Sequence, residues 1–173
     1  MLALGAMLAL LASGCSLIPK QQKSSPPPPN TDTTPDQGGV GTPITLRGTE
    51  TELEVTVRRV LDPAPASPGD QTLSPGGRFV GVVLSLRNIG QGVYSESPLS
   101  DSKLLLAGGA EADPVNLLGG PCGGRFALHV GLRPAERVDG CVPFEVPRGG
   151  HSSRFQVALD SGFAPEVGTW RIR

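Results

Sequence analysis

The side chains able to do chemistry in this sequence are few: three cysteines and two histidines. A nucleophilic hydrolase needs Ser or Cys beside a His base, with an acid to orient the imidazole. His129 and His151 are the only bases available, no G-x-S-x-G elbow exists, and Ser152-Ser153 beside His151 reads as a polar turn entering a strand at Arg154. No catalytic residue is expected. A zinc or copper centre wants clustered His, Cys or carboxylates, and two separated histidines, with no Met beyond Met7, leave no metal or cofactor expected. Asp101, Glu111 and Asp113 are candidates for a calcium loop but lack EF-hand spacing, so a solvated loop is the simpler reading. Gly119-Gly120 and Gly123-Gly124 suggest a phosphate cradle only until Pro121-Cys122 is seen to interrupt them with no Lys-Ser/Thr following.

Charge narrows the partners. Lys and Arg number 15 against 16 Asp and Glu, a net charge of -1, without the basic excess of a nucleic-acid binder. Arg125, Arg133, Arg137, Arg148 and Arg154 all fall in the second half. They form either a basic patch for an anionic wall polymer or lipid headgroup, or scattered strand-surface arginines.

Cys15 carries the clearest signal. Residues 1–13 hold no charge and are nearly all apolar; that length suits a signal-peptide core of roughly 7–15 residues rather than the ~20 of a membrane span. The run Leu10-Leu11-Ala12-Ser13-Gly14-Cys15 resembles the lipobox of bacterial lipoproteins. The resemblance implies a diacylglyceryl thioether on Cys15, cleavage after Gly14, and anchoring on the extracytoplasmic face of the cell membrane, since two or three acyl chains on one residue hold stably where one does not. Two departures stand: no Lys or Arg precedes the apolar core, and Ala12 occupies the place where leucine is commonest. With Cys15 acylated, Cys122 and Cys141 are the remaining pair in an oxidising compartment. A disulfide between them is expected, stabilising by roughly 3 kcal/mol in the loop-entropy model; a free or metal-binding pair is the alternative, with neither cysteine in a C-x-x-C unit.

The rest of the chain must support that anchor. Residues 16–42 are rich in Pro, Ser, Thr, Asn and Gly and poor in apolar side chains after Ile18, too poor to offset the entropy of ordering. A tether is expected over 15–42, reaching about 30 Å as a coil and about 80 Å extended. Pro26 to Pro29 is also the composition of a polyproline recognition peptide.

A folded domain is expected over 43–173. Ile44 and Leu46 suggest a short edge strand, and Leu53, Val55 and Val57 alternate with polar residues. Residues 61–77, with four prolines and three glycines, read as a long irregular loop. Arg78–Asn88 is the strongest strand: Val80, Val82, Leu84 and Leu86 share one face, and the partly apolar opposite face suggests a central position. Further strands are expected at Val93-Tyr94, Lys103–Leu106, Val115–Leu118, Phe126–Val130 (or a helical turn there), Arg137–Val146, Phe155–Leu159 and Trp170–Ile172. In the Arg137–Val146 strand, alternation sets Cys141 opposite Val142, Phe144 and Val146, outside the core, unless a bulge at Gly140 reverses the parity. Seven to nine short strands without an amphipathic helix argue for an all-β, antiparallel sandwich.

The order Phe79-Val80-Gly81-Val82-Val83-Leu84-Ser85-Leu86-Arg87-Asn88 with Gly90 and Tyr94, then Leu132-Arg133-Pro134-Ala135-Glu136, Gly140 and Val142-Pro143-Phe144-Glu145-Val146-Pro147, is similar to the bacterial immunoglobulin-like domains of unknown function on many Gram-positive lipoproteins, a domain type shared with secreted mycobacterial immunoprotective antigens. The resemblance implies an immunoglobulin-like sandwich and supplies no catalytic residues. Ala135 stands where that pattern more often has glycine. The expected function is a non-catalytic binding module in the envelope, meeting an envelope protein or wall polymer; the alternative is a carrier of a small ligand or metal.

Overall fold

Where valine and leucine alternate with polar residues the chain is extended, and the strands so formed stack into two layers. The structure is a computed structural model that describes residues 38–65, 73–115, 126 and 129–173. Its strands are β1 (Gly38–Gly39), β2 (Pro43–Arg47), β3 (Glu52–Ala64), β4 (Gly77–Asn88), β5 (Tyr94–Glu96), β6 (Ser102–Leu106), β7 (Glu111–Ala112), β8 (Val130–Leu132), β9 (Arg137–Pro147), β10 (Ser152–Ala158) and β11 (Val167–Arg171). One sheet has the order β2-β3-β4-β9, the other β1-β11-β10-β6-β7, and β5 with β8 forms a two-stranded ribbon. Neighbours are antiparallel, as expected, except β1 with β11.

The core is the shared inner face. Val80, Val82, Leu84 and Leu86 from β4 meet Val142, Phe144 and Val146 from β9 and Phe155, Val157 and Trp170 from the facing sheet, all buried. Each such side chain stabilises by roughly 1.5–3 kcal/mol on leaving water. Phe144 packs edge-on to Phe155 at 6.1 Å between ring centres, and Phe155 lies 6.0 Å from Trp170. This chain of rings joins one sheet to the other. β4 is central, between β3 and β9, which explains its apolar second face: Phe79 and Ala64 form a smaller cluster there with Leu61, Leu73 and Val115.

Two expectations are corrected and a third holds. The domain begins before residue 43, because Gly38 and Gly39 pair with Trp170 and Arg171 and the Trp170 indole N–H donates to Thr42 O at 2.9 Å. The loop foreseen from residue 61 starts later. β3 continues to Ala64, its pairing with β4 shifting between Val57 and Arg59 and again between Leu61 and Ala64, so two irregularities hide the alternation. The alternation expected through Gly140 holds, without a bulge. Leu84 faces Gly140 and Val83 faces Cys141 in unbroken register, and glycine is required because an added Cβ would stand 2.6 Å from the Phe126 ring. Cys141 is fully buried yet lies outside the main core cluster, on the opposite face from Val142. Cys15, Cys122, Arg125 and the 116–118 part of the foreseen Val115–Leu118 strand lie outside the described residues.

Since β3, β4 and β9 run the length of the sandwich, the connections gather at two ends. One end holds Asp62, Arg78, the β9–β10 turn and Arg173; the other holds the β2–β3 turn, Asn88, the turn before β9 and the β10–β11 loop.

Candidate functional site

The foreseen arginine patch is divided by the fold. Arg137 begins β9 and Arg148 follows its end, so an 11-residue strand, about 35 Å at the usual rise, separates them. Arg133 and Arg137 sit at the Asn88 end, Arg137 paired with Asp139; Arg148 sits at the Asp62 end, and Arg154 lies on β10 opposite Arg171. Asp101 and Glu111 are likewise kept apart, since Glu111 on β7 pairs with Lys103 while Asp101 is buried before β6. The histidines find different partners. His129 Nε2 lies 2.8 Å from Ser95 Oγ at an exposed position, with no carboxylate bonded to the ring among the described residues; His151 Nδ1 lies 3.2 Å from Arg173 Nη1. Among the described residues no group of three or more His, Cys, Asp or Glu is placed to hold a metal ion.

At the Asp62 end, polarity is resolved by ion pairing. Arg78 Nε and Nη2 donate to Asp62 Oδ1 and Oδ2 at 2.6 and 3.1 Å, Arg173 Nη2 adds 3.0 Å and Ser152 Oγ 3.2 Å. The Arg78 hydrogen bonds, and secondarily its charge, hold the Asp62 carboxyl below the usual carboxylate range against the opposing effect of burial. Arg78 also donates to Pro147 O, Arg148 O and Gly150 O, tying β3 and β4 to the β9–β10 turn.

The Asn88 end is built differently. Asn88 is fully buried; its Nδ2 donates to Gly92 O at 2.7 Å and Leu132 O at 2.9 Å, and its Oδ1 accepts from Gly90 N at 3.0 Å. In the turn before β9, Glu136 N donates to Arg133 O, and Ala135 adopts φ 69°, so Pro134-Ala135 forms a type II turn with alanine in the glycine position. Close by, Tyr94 Oη donates to Asp101 Oδ2 at 3.0 Å in the interior. Asp101 is only 4% exposed and its Oδ1 has no hydrogen-bond partner among the described residues. Burial first, and then the neighbouring Glu96 carboxyl, push Asp101 up to about 7. Burial likewise pushes the Tyr94 hydroxyl up.

Beside this pair the β10–β11 loop makes three successive left-handed residues, Asp160, Ser161 and Gly162, with φ 57°, 56° and 86°. Such backbone costs of order 1–2 kcal/mol at each non-glycine residue. The loop is braced from three sides: Asp160 Oδ2 accepts from Thr49 N and Oγ1 at 2.8 and 2.7 Å, Ser161 N donates to Glu96 Oε2 at 3.3 Å, and Arg47 N donates to Glu166 Oε2 at 2.9 Å. At its tip Phe163 is 88% exposed. Val93 and Ile89 are also exposed at this end. Next to it, an open cleft of about 290 Å³ is lined by Arg47, Thr49, Glu50, Thr51, Glu52 and Gln91 together with Gly48 and Gly90, a polar lining throughout. The sequence singles out neither Phe163 nor Glu96, and Asp101 only as a calcium-loop candidate; Asp160-Ser161-Gly162, a turn-forming triplet followed by an isolated aromatic, is the available signal.

This architecture defines the chain as an immunoglobulin-like β-sandwich. Its fold is similar to a secreted protein of Mycobacterium tuberculosis, MPT63 (TM-score 0.56, 16% identity, covering 80% of this chain and 98% of that one). It is similar also to the yjhA protein of Bacillus subtilis (TM-score 0.55, 15% identity, 79% and 99% covered). A third likeness is to ycdA of Bacillus subtilis, which carries a lipoprotein designation (TM-score 0.55, 15% identity, 76% and 38% covered). No protein-family model and no curated protein sequence matches the chain.

Proposed function

We propose that this chain is an extracytoplasmic lipoprotein, anchored in the cell membrane through acylated Cys15 and carrying a non-catalytic binding module on a proline-rich tether. The Phe163 loop is the observation that carries the binding role. A ring left 88% exposed on a strained but thrice-braced loop is held rigid at little further entropic cost when a partner covers it, and aromatic anchors of this kind dominate interfaces. The surrounding carboxylates Glu96 and Asp160 receive only neutral donors among the described residues. The surface thus suits an envelope protein that offers an apolar pocket rimmed by Lys or Arg. The secreted and lipoprotein designations of MPT63 and ycdA agree with an address outside the cytoplasm. A disulfide between Cys122 and Cys141 belongs to the same reading, as does the absence of catalysis: the Ser95–His129 contact is exposed and has no orienting acid among the described residues. The cleft beside Arg47, open and lined by polar and charged side chains, is not itself the apolar cavity that a small-ligand carrier wants.

A photo-reactive benzoylphenylalanine in place of Phe163, in membranes of the native host, tests the reading, with the same probe at His151 as control. A discrete protein adduct from position 163 and none from 151 is expected, on a chain whose intact mass includes acylated Cys15. Equal labelling from both positions, or none from either, would overturn the binding role; an unacylated, released chain would remove the anchor.

A further inference from the structure

We propose that Glu96 and Asp101 share one proton as a carboxylic acid–carboxylate pair, and that this proton latches the Asp160–Phe163 loop in its braced conformation. The proposal rests on the reading of that loop as the recognition surface, and adds its regulation. Asp101 is almost wholly buried, and one of its oxygens takes the Tyr94 hydroxyl while the other has no hydrogen-bond partner among the described residues. An unpartnered carboxylate oxygen in such a place costs several kcal/mol unless it carries a proton, and the neighbouring group is the carboxyl of Glu96. Two carboxylates side by side cannot both ionise cheaply. With one proton between them the Asp101 hydroxyl donates to Glu96, and Glu96 keeps a charged oxygen to accept Ser161 N–H.

The groups facing the pair are few. The ribbon supplies Tyr94 and Glu96 itself; β10 reaches only the main-chain carbonyl of Asp101, through Ala158 N–H; the loop contributes the Ser161 N–H, which donates to Glu96 and also acts on Asp101 in favour of its ionised form, against the larger opposing effects of burial and Glu96, while the Asp160 carboxylate is turned to Thr49. No Lys, Arg or His bonds to either carboxyl among the described residues. Loss of the proton therefore leaves two adjacent negative charges with no cation, and their repulsion separates Glu96 from Asp101. Glu96 anchors Ser161, two residues before Phe163, so the Ser161–Phe163 tip loses that brace while the Thr49–Asp160 and Arg47–Glu166 bonds hold the ends of the loop. With the Asp101 group near neutrality, the latch holds in mildly acidic surroundings and opens above them.

The test follows the Asp101 side-chain carboxyl carbon by NMR from pH 5 to 8.5, together with amide protection factors for residues 160–164, in the parent, Asp101→Asn and Glu96→Gln. The parent is expected to titrate near pH 7 and to lose at least tenfold protection at Ser161 and Phe163 across that midpoint. Asp101→Asn, which donates without a titrating proton, should stay protected throughout, and Glu96→Gln should move the Asp101 midpoint down by at least one unit. An Asp101 midpoint below 5, or loop protection indifferent to its ionisation, would overturn the latch. Cross-linking from position 163 separates the two readings: a titrating latch without adducts removes only the recognition role, and adducts of equal yield at pH 5.5 and 8 remove only the regulation.

Discussion

At one end of the sandwich Asp62 lies between two arginines and is ionised, whereas at the other Asp101 has a phenol, a second carboxyl and no cation. Both aspartates are largely buried, so burial opposes ionisation at each; the neighbours decide the outcome. Asp62 is held below the ordinary carboxylate value by Arg78, and Asp101 is pushed up to about 7. The contrast extends to the backbone. The three non-glycine residues with left-handed φ among the described residues, Ala135, Asp160 and Ser161, all lie at the Asp101 end. One end is a satisfied fastening; the other stores strain and an unpaired oxygen beside an exposed aromatic, the combination found where structure has been kept for use.

The sharpest way to break the comparison is to empty the fastened end. Asp62→Ala leaves the Arg78 guanidinium, with only 19% side-chain exposure, without its anion, and should destabilise the domain by about 3 kcal/mol in urea unfolding. Asp62→Ala combined with Arg78→Met should recover part of that loss, because the unpaired charge goes too. In acid the parent loses the same contribution: a depressed folded value means stability present above the unfolded value near 3.8 and lost as pH falls through the folded one.

Asn88→Ala tests the other end's neutral scaffold. It removes the Asn88 donor from Gly92 O and Leu132 O, while Gly90 N keeps Glu52 O as acceptor, and a cost of about 2 kcal/mol is expected, with the amides of residues 89–92 losing protection first. Asp101→Asn should act in the opposite direction. A raised folded value means that stability falls as pH rises from about 4, where the unfolded aspartate ionises, to about 7, where the folded one does. At pH 8 the variant should be more stable than the parent by on the order of 2 kcal/mol, with little gain at pH 4. Both ends together set a stability maximum in mildly acidic solution. A parent whose denaturation midpoint is flat between pH 5 and 7.5 would contradict the contrast.

Ala135→Gly carries a smaller effect. Alanine at φ 69° costs roughly 1–2 kcal/mol that glycine does not, part of it returned through glycine's freer unfolded chain. A net gain of about 0.5–1 kcal/mol is expected.

The fold was legible where alternation is unbroken. Val80 through Leu86 and Val142 through Val146 each follow period 2, and their register across β4 and β9 contains no irregularity. The end of β3, from Leu61 to Ala64, reads as loop because two shifts in pairing break its parity and Pro63 resembles loop sequence. The arginine patch failed on geometry already implicit in the sequence, since a strand from Arg137 to Val146 necessarily parts Arg133 and Arg137 from Arg148. The Glu96–Asp101–Ser161 constellation had no such clue. Ser161 and Glu96 are 65 residues apart, and their meeting depends on the β5–β8 ribbon docking beside the β10–β11 loop, which no local pattern encodes.

Phe163 gives the finest test, and the expected effect on stability is nearly nil. Its ring is 88% exposed, so Phe163→Ser removes little buried area and leaves Phe163 N–H donating to Asp160 O. The midpoint of unfolding should move by less than about 0.5 kcal/mol, against the loss of about 3 expected for Asp62→Ala. If the ring were merely a packing element of the loop, its removal would lower the protection of residues 160–164 and the stability together. If it is a recognition anchor, the serine variant should fold and titrate like the parent and compete poorly with it for the partner cross-linked from position 163. A buried aspartate and an exposed phenylalanine five residues beyond the end of β10 would then divide the labour, one setting when the surface is ordered and the other what it holds.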